Sequence, residues 1–113
     1  MNCPRCQVEL EFHRPLTHLC PQCDGLWVQH GGLRELLHQR WEELEASPLA
    51  ATLEANHPEV DLKPWLLCPQ CDARMLRYQY GADSGVLLDR CHEHGIWLDD
   101  GELGRAWKHL QAE

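Results

Sequence analysis

Apolar positions along the chain follow two periods, and each period occurs twice. In LRELLHQRWEELEA, Leu33, Leu36, Leu37, Trp41 and Leu44 fall at i, i+3, i+4, i+8 and i+11, the stripe of one amphipathic helix. In ELGRAWKHLQ, Leu103, Ala106, Trp107 and Leu110 fall at i, i+3, i+4 and i+7, a second helix. Strand-like segments precede both. VELEF (8–12) alternates, and HRP turns the chain back into LTHL; RMLRYQY (74–80) leads through the turn-forming GADSG into VLLDR (86–90). Each half therefore predicts a β-hairpin followed by a helix. Between them, Ser47-Pro48 ends the first helix and opens a short second one with Ser47 as N-cap, while HPEVDLKP reads as extended.

The halves also repeat one another in chemistry. The first opens with CPRC (Cys3, Cys6) and closes with CPQC (Cys20, Cys23); the second opens with CPQC (Cys68, Cys71) and closes with CHEH (Cys91, His94). Each closing pair runs into Gly-aliphatic-Trp, ending at Trp27 and Trp97. A Cys-x-x-Cys turn presents two thiolates to one ion, and two such turns at the ends of a hairpin complete a tetrahedral site. The intervening segments, 7–19 and 72–90, suit a hairpin with its turn. This pattern predicts two structural zinc ions, one on Cys3, Cys6, Cys20 and Cys23, the other on Cys68, Cys71, Cys91 and His94. His94 supplies the fourth ligand where the second half has only three cysteines. His92 is the poorer choice, because one intervening residue makes a tight chelate. A redox Cys-x-x-Cys would sit beside a βαβ pattern, which is missing. Iron is chemically possible in the all-cysteine site, whereas three cysteines and one histidine suit zinc better.

Length makes the metal necessary. The 113 residues allow one domain or two very small ones, and small units bury too little apolar surface to hold without a staple. We read residues 1–46 and 67–113 as two units joined by 47–66. Seven cysteines are an odd number for a disulfide framework, and the N-terminal sequence lacks a basic segment followed by an apolar run. A reducing cytoplasm is the expected compartment, with no membrane span. The formal charge is −8. Binding as seven thiolates subtracts seven and two zinc ions add four, giving about −11, which disfavours phosphate backbones.

Other residues take supporting roles. Asp99 and Glu102 form the D-x-x-E of a capping box, a better reading than catalysis for DDGE. The first half has QHGG there, so its helix start should be weaker. Trp27 and Trp97 are expected to cover each its own pair of knuckles. Trp41, Trp65 and Trp107 are candidates to seal the halves together, and Trp41 is the candidate partner anchor, since Gln111 stands at its repeat-equivalent place. His13, His18, His30, His38, His57 and His109 share no ligand spacing and read as surface or turn residues.

The second half, through Cys68, Pro69, Cys71, Cys91, His94, Gly95, Trp97, Leu98, Asp99, Gly101, Glu102 and Leu103, resembles the TFIIB-type zinc-finger family of small prokaryotic zinc ribbons. The first half resembles it through Cys3, Pro4, Cys6, Cys20, Cys23, Gly25, Trp27, Gly31 and Leu33, and departs at Gln29 and Gly32, where the family has Asp and Glu. The resemblance implies a zinc-ribbon fold and brings no set of catalytic residues. The fold class expected is thus a small metal-bound α+β protein of two tandem zinc ribbons, each a zinc knuckle pair on a β-hairpin followed by an amphipathic α-helix. Likeness of fold does not establish function. The expected function is a non-enzymatic protein-interaction module or adaptor whose partner is another protein, with homo-oligomers open. One alternative is a transcription-associated or nucleic-acid-binding ribbon, which needs a basic face from Arg5, Arg74, Arg77, Arg90 and Arg105. Another is a metal-dependent enzyme or zinc-handling protein, which needs a three-ligand site.

Overall fold

In a computed structural model that describes residues 1–54, 65–81 and 84–112, both expected hairpins form, but the first lies later than VELEF: its first strand runs to Arg14, so His13 and Arg14 of the expected turn belong to the strand. Strands β1 (Glu11–Arg14) and β2 (Thr17–Leu19) form the first hairpin, with Phe12 opposite His18. Strands β4 (Leu76–Gln79) and β5 (Leu87–Cys91) form the second, with Tyr78 opposite Leu88. The segment HPEVDLKP lies outside the described residues.

Two further strands carry the Gly-aliphatic-Trp motifs: β3 (Leu26–Gln29) and β6 (Gly95–Leu98). They pair with each other, antiparallel, placing Leu26 opposite Leu98, Trp27 opposite Trp97 and Val28 opposite Ile96. The result is one six-stranded sheet in the order β1-β2-β3-β6-β5-β4. The order reads as the repeat followed by its mirror, and the repeat-equivalent tryptophans face each other across its centre. An approximate two-fold axis therefore passes between Trp27 and Trp97.

Side chains alternate across a strand, so this sheet serves two cores. One face buries Leu26, Val28, Leu88 and Leu98 with the helical residues Leu36, Leu44, Leu103 and Ala106. The other buries Trp27 and Trp97 with Met75, Leu66 and the cysteines Cys3, Cys20, Cys68 and Cys91. Helices cover the first face and the cysteine knuckles the second.

The long helix expected from Leu33 is two short ones, α1 (Gly32–Leu37) and α2 (Trp41–Glu45), broken at Arg40, which is extended (φ −74°, ψ 147°). Tertiary contacts cause the break. The Trp107 indole N–H donates to the Gln39 carbonyl at 2.9 Å, and Trp41 packs on Trp107 with ring centroids 4.9 Å apart. The bend still turns Leu44 inward, so the 3.6-residue period identified the buried residues but not the continuity of the helix. Ser47 caps a 3-10 turn, Pro48–Thr52, by accepting from the Leu49 N–H at 3.1 Å. The last element is α3 (Glu102–Ala112), whose Gly104 lets the Leu53 backbone lie directly against the helix. As expected from QHGG, α1 starts without a side-chain cap. Gly31 (φ 88°) and its repeat partner Gly101 (φ 79°) both occupy the left-handed region that the turn into each helix requires.

Candidate metal centres

Three Cys-x-x-Cys turns share one local geometry. In the first, the Arg5 and Cys6 N–H groups point at Cys3 Sγ, at 3.4 and 3.3 Å, and Gln7 N–H closes the turn onto the Cys3 carbonyl at 3.0 Å. The turns at Cys20 and Cys68 repeat this, with Cys23 N–H 3.5 Å from Cys20 Sγ and Gln70 N–H 3.3 Å from Cys68 Sγ. The residue after each second cysteine is left-handed: Gln7, Asp24 and Asp72, at φ 61°, 60° and 60°. The Cys91–His94 turn lacks that residue, because His94 runs directly into Gly95 and β6. A chain one residue shorter needs a side chain that reaches farther, and histidine provides it.

These turns bring the expected ligands together in two groups. The donor atoms of Cys3, Cys6, Cys20 and Cys23 lie within 4.8 Å of one another, as do those of Cys68, Cys71, Cys91 and His94. A tetrahedral ion with metal–sulfur bonds of about 2.3 Å sets sulfurs about 3.8 Å apart. Cys3 and Cys23 Sγ are 3.8 Å apart, and Cys71 and Cys91 Sγ 3.7 Å. His94 turns Nδ1 inward, 3.5 Å from Cys91 Sγ and 3.9 Å from Cys68 Sγ. Both groups therefore fit a metal ion. His92 is exposed and outside the group; its carbonyl takes a hydrogen bond from the His30 ring at 2.9 Å.

The thiols are shifted in both directions: burial pushes Cys6 up to about 11 and Cys68 up to about 12, the hydrogen bond to Cys3 together with burial raises Cys23, and two others are lowered. A hydrogen bond from Cys23 and the N–H groups of Cys6 and Arg5 hold Cys3 down at about 5, against the opposing effect of burial. Burial pushes Cys91 up, but its bond to His94 and the N–H groups of Glu93 and His94 outweigh this and lower it to about 7.

Both tryptophans reach across to the opposite repeat, which corrects the expectation that each covers its own knuckles. The Trp27 indole N–H donates to Gln70 Oε1, inside the Cys68–Cys71 turn, at 2.9 Å. Trp97 lies over Gly25, just after Cys23, where any Cβ would run into the indole ring. Both rings are fully buried.

Asp99 also serves the opposite repeat. Its carboxylate pairs with the Arg5 guanidinium, inside the Cys3–Cys6 turn, and accepts from the Trp97 indole at 3.1 Å. Glu102 accepts from Asp99 N–H at 2.6 Å, but α3 begins at Glu102 and Gly101 before it is left-handed, so this bond closes the turn ahead of the helix and corrects the expected capping box, in which Asp99 would be the N-cap and Glu102 the third helical residue. The symmetry-related place is filled by amides, with Gln29 Nε2 donating to Gln70 Oε1 at 3.1 Å.

From the sequence, Arg5 stands out only for a basic face, Gln29 only as a departure from the family pattern, and Gln70 not at all. The internal repeat held the signal: where one opening knuckle carries Arg5, Asp99 directly follows the opposite repeat's strand β6, and where the other carries Gln70, Gln29 ends the opposite strand β3. Asp89 was also missed. It is buried and bonded to Arg77 Nε at 3.1 Å; burial raises its pKa, with Arg77 opposing. Its repeat equivalent is His18, two residues before Cys20, whose pKa burial lowers.

Trp41, the candidate anchor, is half-buried against Trp107, with its indole N–H on Glu45, and so joins the two halves. The exposed tryptophan is Trp65, at 62 %, with the Arg74 guanidinium 3.4 Å from its ring centroid. Of the remaining histidines, His57 lies outside the described residues. No helix among the described residues is long and apolar enough to cross a membrane. No protein-family model matches the chain, and no curated protein or solved structure matches it either.

Proposed function

We propose that this chain is a non-enzymatic zinc protein: two tandem zinc ribbons of the TFIIB type, held by two structural ions, that dock another protein in a reducing compartment, the cytoplasm. The observation that carries it is the pair of four-donor groups, which between them use all seven cysteines and His94. Mixed sulfur–nitrogen coordination suits zinc, and four protein ligands leave no position for a water or substrate. The ions therefore support the fold and do no chemistry of their own.

A protein partner is supported by the surface between the two opening knuckles. Trp65, Leu67 and Met1, at 62 %, 50 % and 41 % exposure, are among the most exposed large apolar residues. They border a cavity of about 490 Å³ together with Pro4, Gln7 and Pro69. The accessible lining of that cavity is mostly polar, so the support comes from the exposed apolar side chains at its border, the kind of surface that marks interaction sites. Capture with the zinc-loaded chain is expected to retain a partner that Trp65→Ala and Leu67→Ala release. Equal retention by both variants would remove this surface from the proposal.

The arginines that a nucleic-acid ribbon would need are engaged within the chain. Arg5 and Arg77 pair with Asp99 and Asp89, Arg74 and Arg90 lie over Trp65 and Tyr78, and Arg105 donates to the Gly85 carbonyl. With a zinc-loaded charge of about −11, no DNA binding is expected at physiological salt. Tight, salt-sensitive binding in an anisotropy titration would instead promote the transcription-associated reading.

A further inference from the structure

We infer that the two metal sites are coupled, so that filling either one raises the affinity of the other; this rests on the zinc reading above. The closing knuckle of each site leads into the strand whose tryptophan sits on the other site. Cys23 leads into β3, and Trp27 on β3 holds Gln70 between Cys68 and Cys71. His94 leads into β6, and Trp97 on β6 packs over Gly25 beside Cys23. Two side-chain locks tie the same elements together, Arg5 with Asp99 and Gln70 with Gln29.

An ion at one site fixes its closing knuckle and hence the position of its strand. That strand is paired residue for residue with the one leaving the other site, from Leu26–Leu98 to Gln29–Gly95. The second ion then meets a knuckle already ordered, and the ordering cost is lower. Linkage makes the effect equal in both directions, and couplings of this kind are commonly about 5–150-fold. Two ribbons that merely shared a linker would show none.

Cobalt(II) is the probe, because its visible bands differ between four-sulfur and three-sulfur, one-nitrogen sites. In a titration of the full-length chain after metal removal, both sets of bands are expected to rise together, with a Hill coefficient between one and two. His94→Ala is expected to weaken cobalt binding at the Cys3, Cys6, Cys20 and Cys23 site about tenfold or more, although that site keeps all its ligands. Gln70→Ala, which leaves all eight ligands in place, is expected to bring the Hill coefficient towards one. An all-cysteine site whose cobalt affinity is unaffected by His94→Ala would overturn the coupling and leave the zinc reading standing. Fewer than two ions at saturation would overturn the zinc reading itself.

Discussion

On the zinc reading proposed above, treating the metal-loaded chain with a strong chelator at neutral pH is expected to unfold it whole, helices included. Zinc contributes about 10–16 kcal/mol to the folding of single fingers, whereas a domain of ordinary size is stable by only about 5–15 kcal/mol in total. The cysteines form no disulfides that would hold the knuckles in the ion's place. The face they build also carries Trp27 and Trp97, and the strands bearing those residues form the middle of the sheet. Without the knuckles, β3 and β6 lose one of their two covered faces, and the helices lose the surface on which they pack. Far-ultraviolet circular dichroism and tryptophan emission follow the loss directly, because both central indoles are fully buried. Retention of strand signal with unshifted emission would show that the aliphatic core holds the fold alone.

The second large effect belongs to Trp97. Trp97→Ala is expected to cost about 3–5 kcal/mol, the usual range for a buried aromatic truncated to alanine. The loss has identifiable parts: the ring over Gly25, the packing in the cysteine-side core, and the indole N–H that Asp99 accepts. Asp99 then keeps Arg5 but loses a donor that helps fix it. Trp65→Ala, at an exposed site, is expected to change stability by less than about 0.5 kcal/mol. Urea denaturation of both variants at saturating zinc separates the two. Equal small losses would mean that Trp97 is not a centre of the fold.

Much of this was legible in the sequence because it is local. Ligand spacing, hairpin alternation and the apolar stripe each depend on residues within one segment. The strand character of β3 and β6 was hidden for a physical reason. Leu26, Trp27 and Val28 are all buried, on alternate faces of a sheet covered on both sides, so they show no alternation of apolar and polar residues. The break at Arg40 was hidden because its cause, the Trp107 indole on the Gln39 carbonyl, comes from 68 residues away. The crossed placement of Trp27 and Trp97 follows from the β3–β6 pairing, and neither repeat taken singly contains it.

Two ions with different ligand sets are the centre of the proposed function. X-ray absorption at the zinc edge, on protein purified without chelator and quantified by elemental analysis, measures this most directly. The expected result is two zinc ions per chain, sharing seven sulfurs and one imidazole nitrogen at metal–sulfur distances of about 2.3 Å. One zinc per chain, stoichiometric iron, or an oxygen ligand in either shell would contradict it.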